Sequence, residues 1–252
     1  MEHFVDKNSI VREIWGKSDT ILLVFAGASA EFALNKTVDW LYFTGKLPKD
    51  PLGRLFTTVN YAKSIVFSEK EAALKAINNI NKIHGSVEQS RGQNIPEWAY
   101  KDVLFMLIDY SIRSYELLQR PLSITEKQDV LDVFNKVGSR MGIKNLPLSY
   151  SDFQTARQTH LDQNLENSKL TQDLYQQYRK HLGFFRYHLL LESQILLLPD
   201  SVRQMLSLRK ASLLTPMISV YKLFRSINLD WMIKEVLLPS AYKQDIKRMN
   251  VT

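Results

Sequence analysis

Arg54 and Thr58 stand four residues apart, so a helix would place both on one face, with Tyr61 about one turn further on. An arginine so placed can grip a carboxylate through two parallel hydrogen bonds. It can equally form a surface ion pair, the commoner outcome for such a spacing. Downstream stands a single histidine, His84, followed at once by Gly85. An imidazole there can cap the carbonyl end of a helix, or it can serve as a metal ligand. Asp109 and Arg113 repeat the four-residue spacing within FMLIDYSIRSYELL. Their neighbours Phe105, Met106, Leu107, Ile108, Ile112 and Leu117 are apolar, so a partly buried structural ion pair is expected, with Glu116 extending it. The other histidines, His3, His160, His181 and His188, show no metal-ligand spacing. His181 and His188 are seven apart and share a face on a straight helix, and Glu192 lies four past His188.

The elements that must position these groups are helical. Only 9 Gly and 8 Pro punctuate 252 residues, and strict alternation of apolar and polar residues is rare. Asp50-Pro51 predicts an N-cap followed by proline in the first turn. Ser68-Glu69-Lys70-Glu71 reads as a capping box. From there Ala73, Ala76, Ile77, Ile80 and Ile83 recur at helical spacing, and Gly85 places His84 in the last turn. Pro96 opens a helix running to about Leu118, Ser123 to Glu126 form a second capping box, and Ser149 or Ser151 caps a helix through Phe153. The Asn- and Gln-rich stretch from Leu161 to Asp173 predicts an exposed connection. Helices resume at YQQYRKHLGFFRYHLLLESQILLLP and are divided by Pro199, Pro216 and Pro239. The expected class is all-α.

Composition narrows the chemistry. There is no cysteine, which excludes disulfides, thiolate metal ligands, thiol nucleophiles and covalent attachment of a c-type haem. No glycine-rich phosphate loop, nucleophile elbow or dinucleotide fingerprint occurs. The net charge of +7 is spread along the chain without a basic run or a nucleic-acid-binding motif, so no nucleic-acid partner is expected. The mildly basic tail YKQDIKRMNVT follows an apolar stretch, which suits peripheral membrane contact. No apolar run reaches the roughly 18 to 20 residues of a transmembrane helix, since the best, Ile21 to Leu34, contains Glu31. The N-terminus lacks a signal-peptide pattern, and a cytoplasmic location is expected.

Several segments, taken in order, resemble the catalytic domain of bacterial rubber oxygenases and mycophenolic-acid-pathway oxygenases. LLVFAGASAEFAL resembles that family's first apolar helix, and DPLGRLFTTVNYAKSIVFS its D-P-x-x-R-x-x-x-T segment. AINNINKIHGSVE is similar to a motif centred on a histidine. VLFMLIDYSIRSYELLQRPLSITEKQDVLDVFNKVGSRMGI is similar to the L-x-D-S-x-x-R-x-Y-E helix and its continuation, and LPLSYSDFQTA to a helix start. The resemblance covers about residues 20–158, with LLLP at Leu196 to Pro199 beyond it and a helical C-terminal extension over 170–252.

The resemblance implies a single helical domain of about ten helices over 1–252, with a haem-binding core of the kind found in globin-like folds. It implies a haem-b-dependent oxygenase, the haem held noncovalently and O₂ a co-substrate, acting on the double bond of an apolar, isoprenoid-like olefin. An intracellular enzyme would meet a small isoprenoid, fatty or terpenoid molecule rather than polymeric rubber. His84 matches the iron ligand, and Arg54 and Thr58 match a pair on the haem-facing helix. Arg54 would hold a propionate or polarise oxygen, and Thr58 would line the pocket. Asp109 and Arg113 match a charged pair of the family. Two departures stand out: relatives carry His-Pro where this chain has Gly27-Ala28, and a histidine where it has Leu104. The alternative is a non-catalytic helical protein that binds haem or a lipid.

Overall fold

In this computed structural model, residues 2–45 and 49–226 are described, without the side chains of residues 51, 52, 54–56, 225 and 226. Eleven helices account for the regular structure among them: α1 (Ile10–Trp15), α2 (Ser18–Leu34), α3 (Val38–Phe43), α4 (Pro51–Val66), α5 (Lys70–Arg91), α6 (Glu97–Leu118), α7 (Ile124–Arg140), α8 (Tyr150–Gln163), α9 (Lys169–Leu197), α10 (Asp200–Met205) and α11 (Thr215–Ser226). No strand occurs among the described residues, only isolated bridges pairing His3 with Glu69 and Asn35 with Leu165. The all-α expectation holds.

α2 and α6 form the centre. α2 lies against α6 on one side and α9 on the other. Ile21, Val24, Ala28, Ala30 and Leu34 of α2 and Met106, Ile108, Tyr110 and Tyr115 of α6 are all buried. Close approach depends on Gly27: a Cβ there would sit 2.3 Å from the Tyr110 ring. The small residues of α2 therefore seat a neighbouring helix. Around this pair, α1, α7 and α8 complete the main core, with Trp15 donating its Nε1–H to Ser111 Oγ at 3.1 Å.

Several local expectations hold. Asp50 caps α4, accepting from Gly53 N at 2.8 Å, and Pro51 occupies the first turn. Ser123 and Glu126 cap α7 reciprocally, and Ser149 rather than Ser151 caps α8. Others are corrected. α5 does not stop at His84; it runs two turns further to Arg91 and ends at Gly92 in the left-handed region, φ 69°. One helical glycine costs only about 1 kcal/mol, and the extra turns are anchored, since Glu88 accepts from Ile95 N and Tyr100 Oη. Ser68 does not cap α5. Its N-cap is Glu69, and the Lys70 amide donates to the Glu2 carbonyl at 3.0 Å. The connection expected over Leu161–Asp173 shrinks to 164–168, because Leu161 and Leu165 are buried and Glu166 N donates to Leu34 O. Pro199 and Pro216 open α10 and α11, while Pro239 lies outside the described residues.

Candidate functional site

α4 and α5 form a helical hairpin. Ile65 near the end of α4 packs with Ala73 and Ile77 near the start of α5. Seven residues back from Ile65 is Thr58, and seven on from Ile77 is His84. At 1.5 Å per residue both steps cover about 10 Å, so Thr58 and His84 each lie about two turns along the hairpin from that cluster. Two turns also return a helix to nearly the same face, so His84 continues the buried stripe of Ala73 and Ile77. Its ring is half-buried, 5.1 Å from the Tyr100 ring of α6, with Nδ1 shielded from solvent. Thr58 is half-buried on α4. Arg54 lies one turn before it in the same helix, and its side chain lies outside the described residues. Thr58 and His84 thus stand on the two helices of one hairpin.

A half-buried imidazole beside an aromatic ring is a group that could hold the iron of a haem b, which needs one protein ligand. Among the described residues no cluster of three or more His, Cys, Asp or Glu forms a metal site. His188 and Glu192 do not converge either. His188 Nδ1 faces the Phe184 carbonyl at 2.8 Å, while Glu192 pairs with Arg209 and accepts from Ser212 Oγ and Leu213 N.

The Asp109–Arg113 pair exists, Arg113 Nε donating to Asp109 Oδ1 at 2.8 Å, but it is one edge of a larger buried network. Glu31 of α2, fully buried, accepts from Arg157 Nη1 at 2.5 Å and Nη2 at 2.6 Å. Arg157, on α8, also donates to Asp109 Oδ2 at 3.2 Å. His160, one turn along α8, faces Glu31 Oε1 at 3.1 Å through Nε2 and pairs with Asp102 through Nδ1. Tyr110 Oη donates to Glu31 at 2.9 Å, and Asn35 and Asn164 donate to Asp102.

Three carboxylates, Glu31, Asp102 and Asp109, thus meet Arg157, Arg113 and His160. Burial alone would raise the Glu31 pKa, but the Arg157 charge, its two hydrogen bonds and His160 hold it down to about 2. Burial likewise works against the His160 charge, and the flanking Asp102 and Glu31 override it, raising its pKa above 6.5. Glu116 does not extend this network. It accepts from Leu122 N and pairs with Lys127 at the α6–α7 turn.

Sequence reasoning missed Asp102, Arg157 and His160. The one local signal was Glu31, a lone acid in an apolar helix. The network's chemical capacity is to lock α2, α6 and α8 together.

The two positions at which the sequence departs from the resemblance, Gly27-Ala28 and Leu104, are closely packed. Gly27 lies under the Tyr110 ring, and buried Leu104 packs on Gly138, where a Cβ would approach its Cδ2 to 2.7 Å.

Comparison with known proteins gives one match. The family described as "ER-bound oxygenase mpaB/B'/Rubber oxygenase, catalytic domain" matches residues 18–226. This reaches well beyond the 20–158 stretch legible by eye and takes in α9, α10 and α11. No curated protein and no solved structure matches the chain.

Proposed function

Because the chain belongs to the mpaB/B'/rubber oxygenase catalytic-domain family, we propose that it is a haem-b-dependent oxygenase acting on an apolar, isoprenoid-like olefin. The chain would act as one oxygenase domain over 1–252. The observation that supports this most directly is the placement of His84. The histidine of the motif is half-buried on α5, its ring 5.1 Å from that of Tyr100.

When bound, haem b would supply redox-active iron able to use O₂ for oxidative cleavage of a carbon–carbon double bond. The chain's own contributions are binding and placement. His84 would hold the iron through its imidazole. Arg54, on the same helix as Thr58, would pair with a propionate. Thr58 would line the pocket. Partly buried Ala62, Phe67, Tyr100 and Val103, which pack on the main core, keep this region of the fold apolar. An apolar lining holds an olefin and excludes water.

The test is an ultraviolet–visible spectrum of protein expressed with a haem precursor, before and after dithionite. A stoichiometric Soret band that shifts on reduction is expected in the wild type and absent in His84→Ala. A His84→Ala variant with an unchanged Soret band would refute the ligand assignment. A colourless wild type that takes up no added hemin would refute the haem reading altogether.

Among the described residues no helix is long and apolar enough to cross a membrane. Any membrane contact of this part of the chain through its helices would be peripheral. A second reading, a non-catalytic haem- or lipid-binding protein, draws on the packing at Gly27 and Leu104, where side chains fill the places of two family histidines. Consumption of O₂ with an olefin separates the two.

A further inference from the structure

α9 is two arms rather than one rod. Gly183, at φ 72° and ψ 177°, interrupts it. Tyr175 Oη donates to Gln194 Oε1 at 3.0 Å although the two are 19 residues apart, which a straight helix would separate by about 28 Å. The arms 169–182 and 184–197 therefore fold back on each other. Leu174, Tyr178 and Leu182 pack with Tyr187 and Leu190, and α3 covers their flank. Both arms are pinned to Ser29 of α2: Tyr178 Oη donates to its carbonyl at 3.2 Å, and Gln194 Nε2 to its Oγ at 3.0 Å.

The fold-back point carries Phe184 and Phe185, exposed at 71% and 61%. Among the described residues neither phenylalanine joins a hydrophobic cluster. The Phe184 ring lies on His188, centroids 4.2 Å apart. Around the tip stand Arg179, Lys180, His181, Arg186 and His188, and between Asp173 and Glu192 there is no acidic residue. The tip is thus an aromatic pair within a basic collar.

The geometry points to this helical tip as a docking element for an anionic phospholipid surface. Aromatic rings settle at the depth of lipid headgroups, while flanking cations meet lipid phosphates and carboxylates. A second copy of the chain fits less well, because a two-fold contact would set one basic collar against the other. The chain's own residues 227–252 are not complementary either, with four cations against three acids. The inference deepens the peripheral-contact part of the reading above and is independent of haem. It would bring an enzyme for apolar molecules to the phase in which they dissolve.

The test is vesicle co-sedimentation of the full chain, with phosphatidylcholine alone and with phosphatidylcholine containing phosphatidylserine. Binding to the serine-containing vesicles is expected, weakening as salt rises. Phe184→Ser/Phe185→Ser should weaken it by about tenfold or more, and Arg179→Glu/Lys180→Glu should do so only where phosphatidylserine is present. All four positions are exposed, so circular dichroism and melting should be unchanged. Failure of the wild type to bind serine-containing vesicles would overturn the assignment. So would full binding by the phenylalanine variant, or a wild-type dimer in light scattering that this variant dissociates without any vesicle binding.

Discussion

Replacing Arg157 by methionine tests the buried network most severely. The side chain keeps its length and apolar stem, but the guanidinium that bridges Glu31 and Asp109 is gone. Glu31 is fully buried and would keep only His160 and Tyr110 as partners. Removing one partner from a buried ion pair costs about 3–5 kcal/mol, since the remaining charge is uncompensated. For a domain of this size each kcal/mol lowers the melting temperature by roughly 2–4 °C, so Arg157→Met should melt about 6–20 °C below wild type. Urea denaturation followed by circular dichroism would give the free energy, and a loss below about 1 kcal/mol would refute the reasoning. Glu31→Gln in the Arg157→Met background should return part of the loss, because it removes the orphaned charge. Non-additivity of the two variants measures their coupling.

The same network sets a pH window. The Glu31 pKa is depressed from 4.5 to about 2 because Arg157 outweighs its burial. Its stabilisation is therefore present above 4.5 and drains away as pH falls towards 2, an effect of about 3 kcal/mol. The His160 pKa is raised from 6.5 by Asp102 and Glu31 against its burial, so its contribution is complete below 6.5 and fades as pH climbs through the raised value. Stability should peak between about pH 4.5 and 6.5, and His160→Gln should flatten the alkaline side of a urea-midpoint profile while leaving the acid side. Gly27→Ala should destabilise by about 1–3 kcal/mol, because its Cβ would overlap the Tyr110 ring. A thermal melt that leaves this variant unchanged would contradict the close helix crossing.

Helices were legible wherever one local rule sufficed: Asp50-Pro51, the Ser123–Glu126 box, the apolar stripe of Ala73 and Ile77. Local rules failed where tertiary contacts chose between equivalent options. Gly85 and Gly183 look alike in sequence, each a lone glycine in a helical run. The first stays helical because Glu88 and Tyr100 secure the turns beyond it. The second takes positive φ because the next arm finds its apolar partners by turning back. Of the candidate site, His84, Thr58 and Arg54 could be named through the family resemblance, but that they stand on two helices of one hairpin follows only from the α4–α5 packing. The buried network was nearly invisible. Glu31 and His160 are 129 residues apart, and no spacing rule spans that distance.

The two sets of residues stand mostly on different helices, and that makes their roles separable. The network ties α2, α6 and α8, whereas His84 stands on α5 against α4 and the first turn of α6. His84→Ala takes away, with the rest of the imidazole, a tilted ring contact with Tyr100 at a half-buried site, where such a contact is worth about 1 kcal/mol. The variant should therefore lose its Soret band and hold its melting temperature in the apo state within a few degrees of the wild-type apo protein. Arg157→Met should show the reverse pattern at low temperature: a fold much closer to its melting point that still binds haem while native. If instead Arg157→Met lost haem at temperatures where its helical signal was intact, the network would be shaping the pocket directly, and the division between scaffold and site would fail.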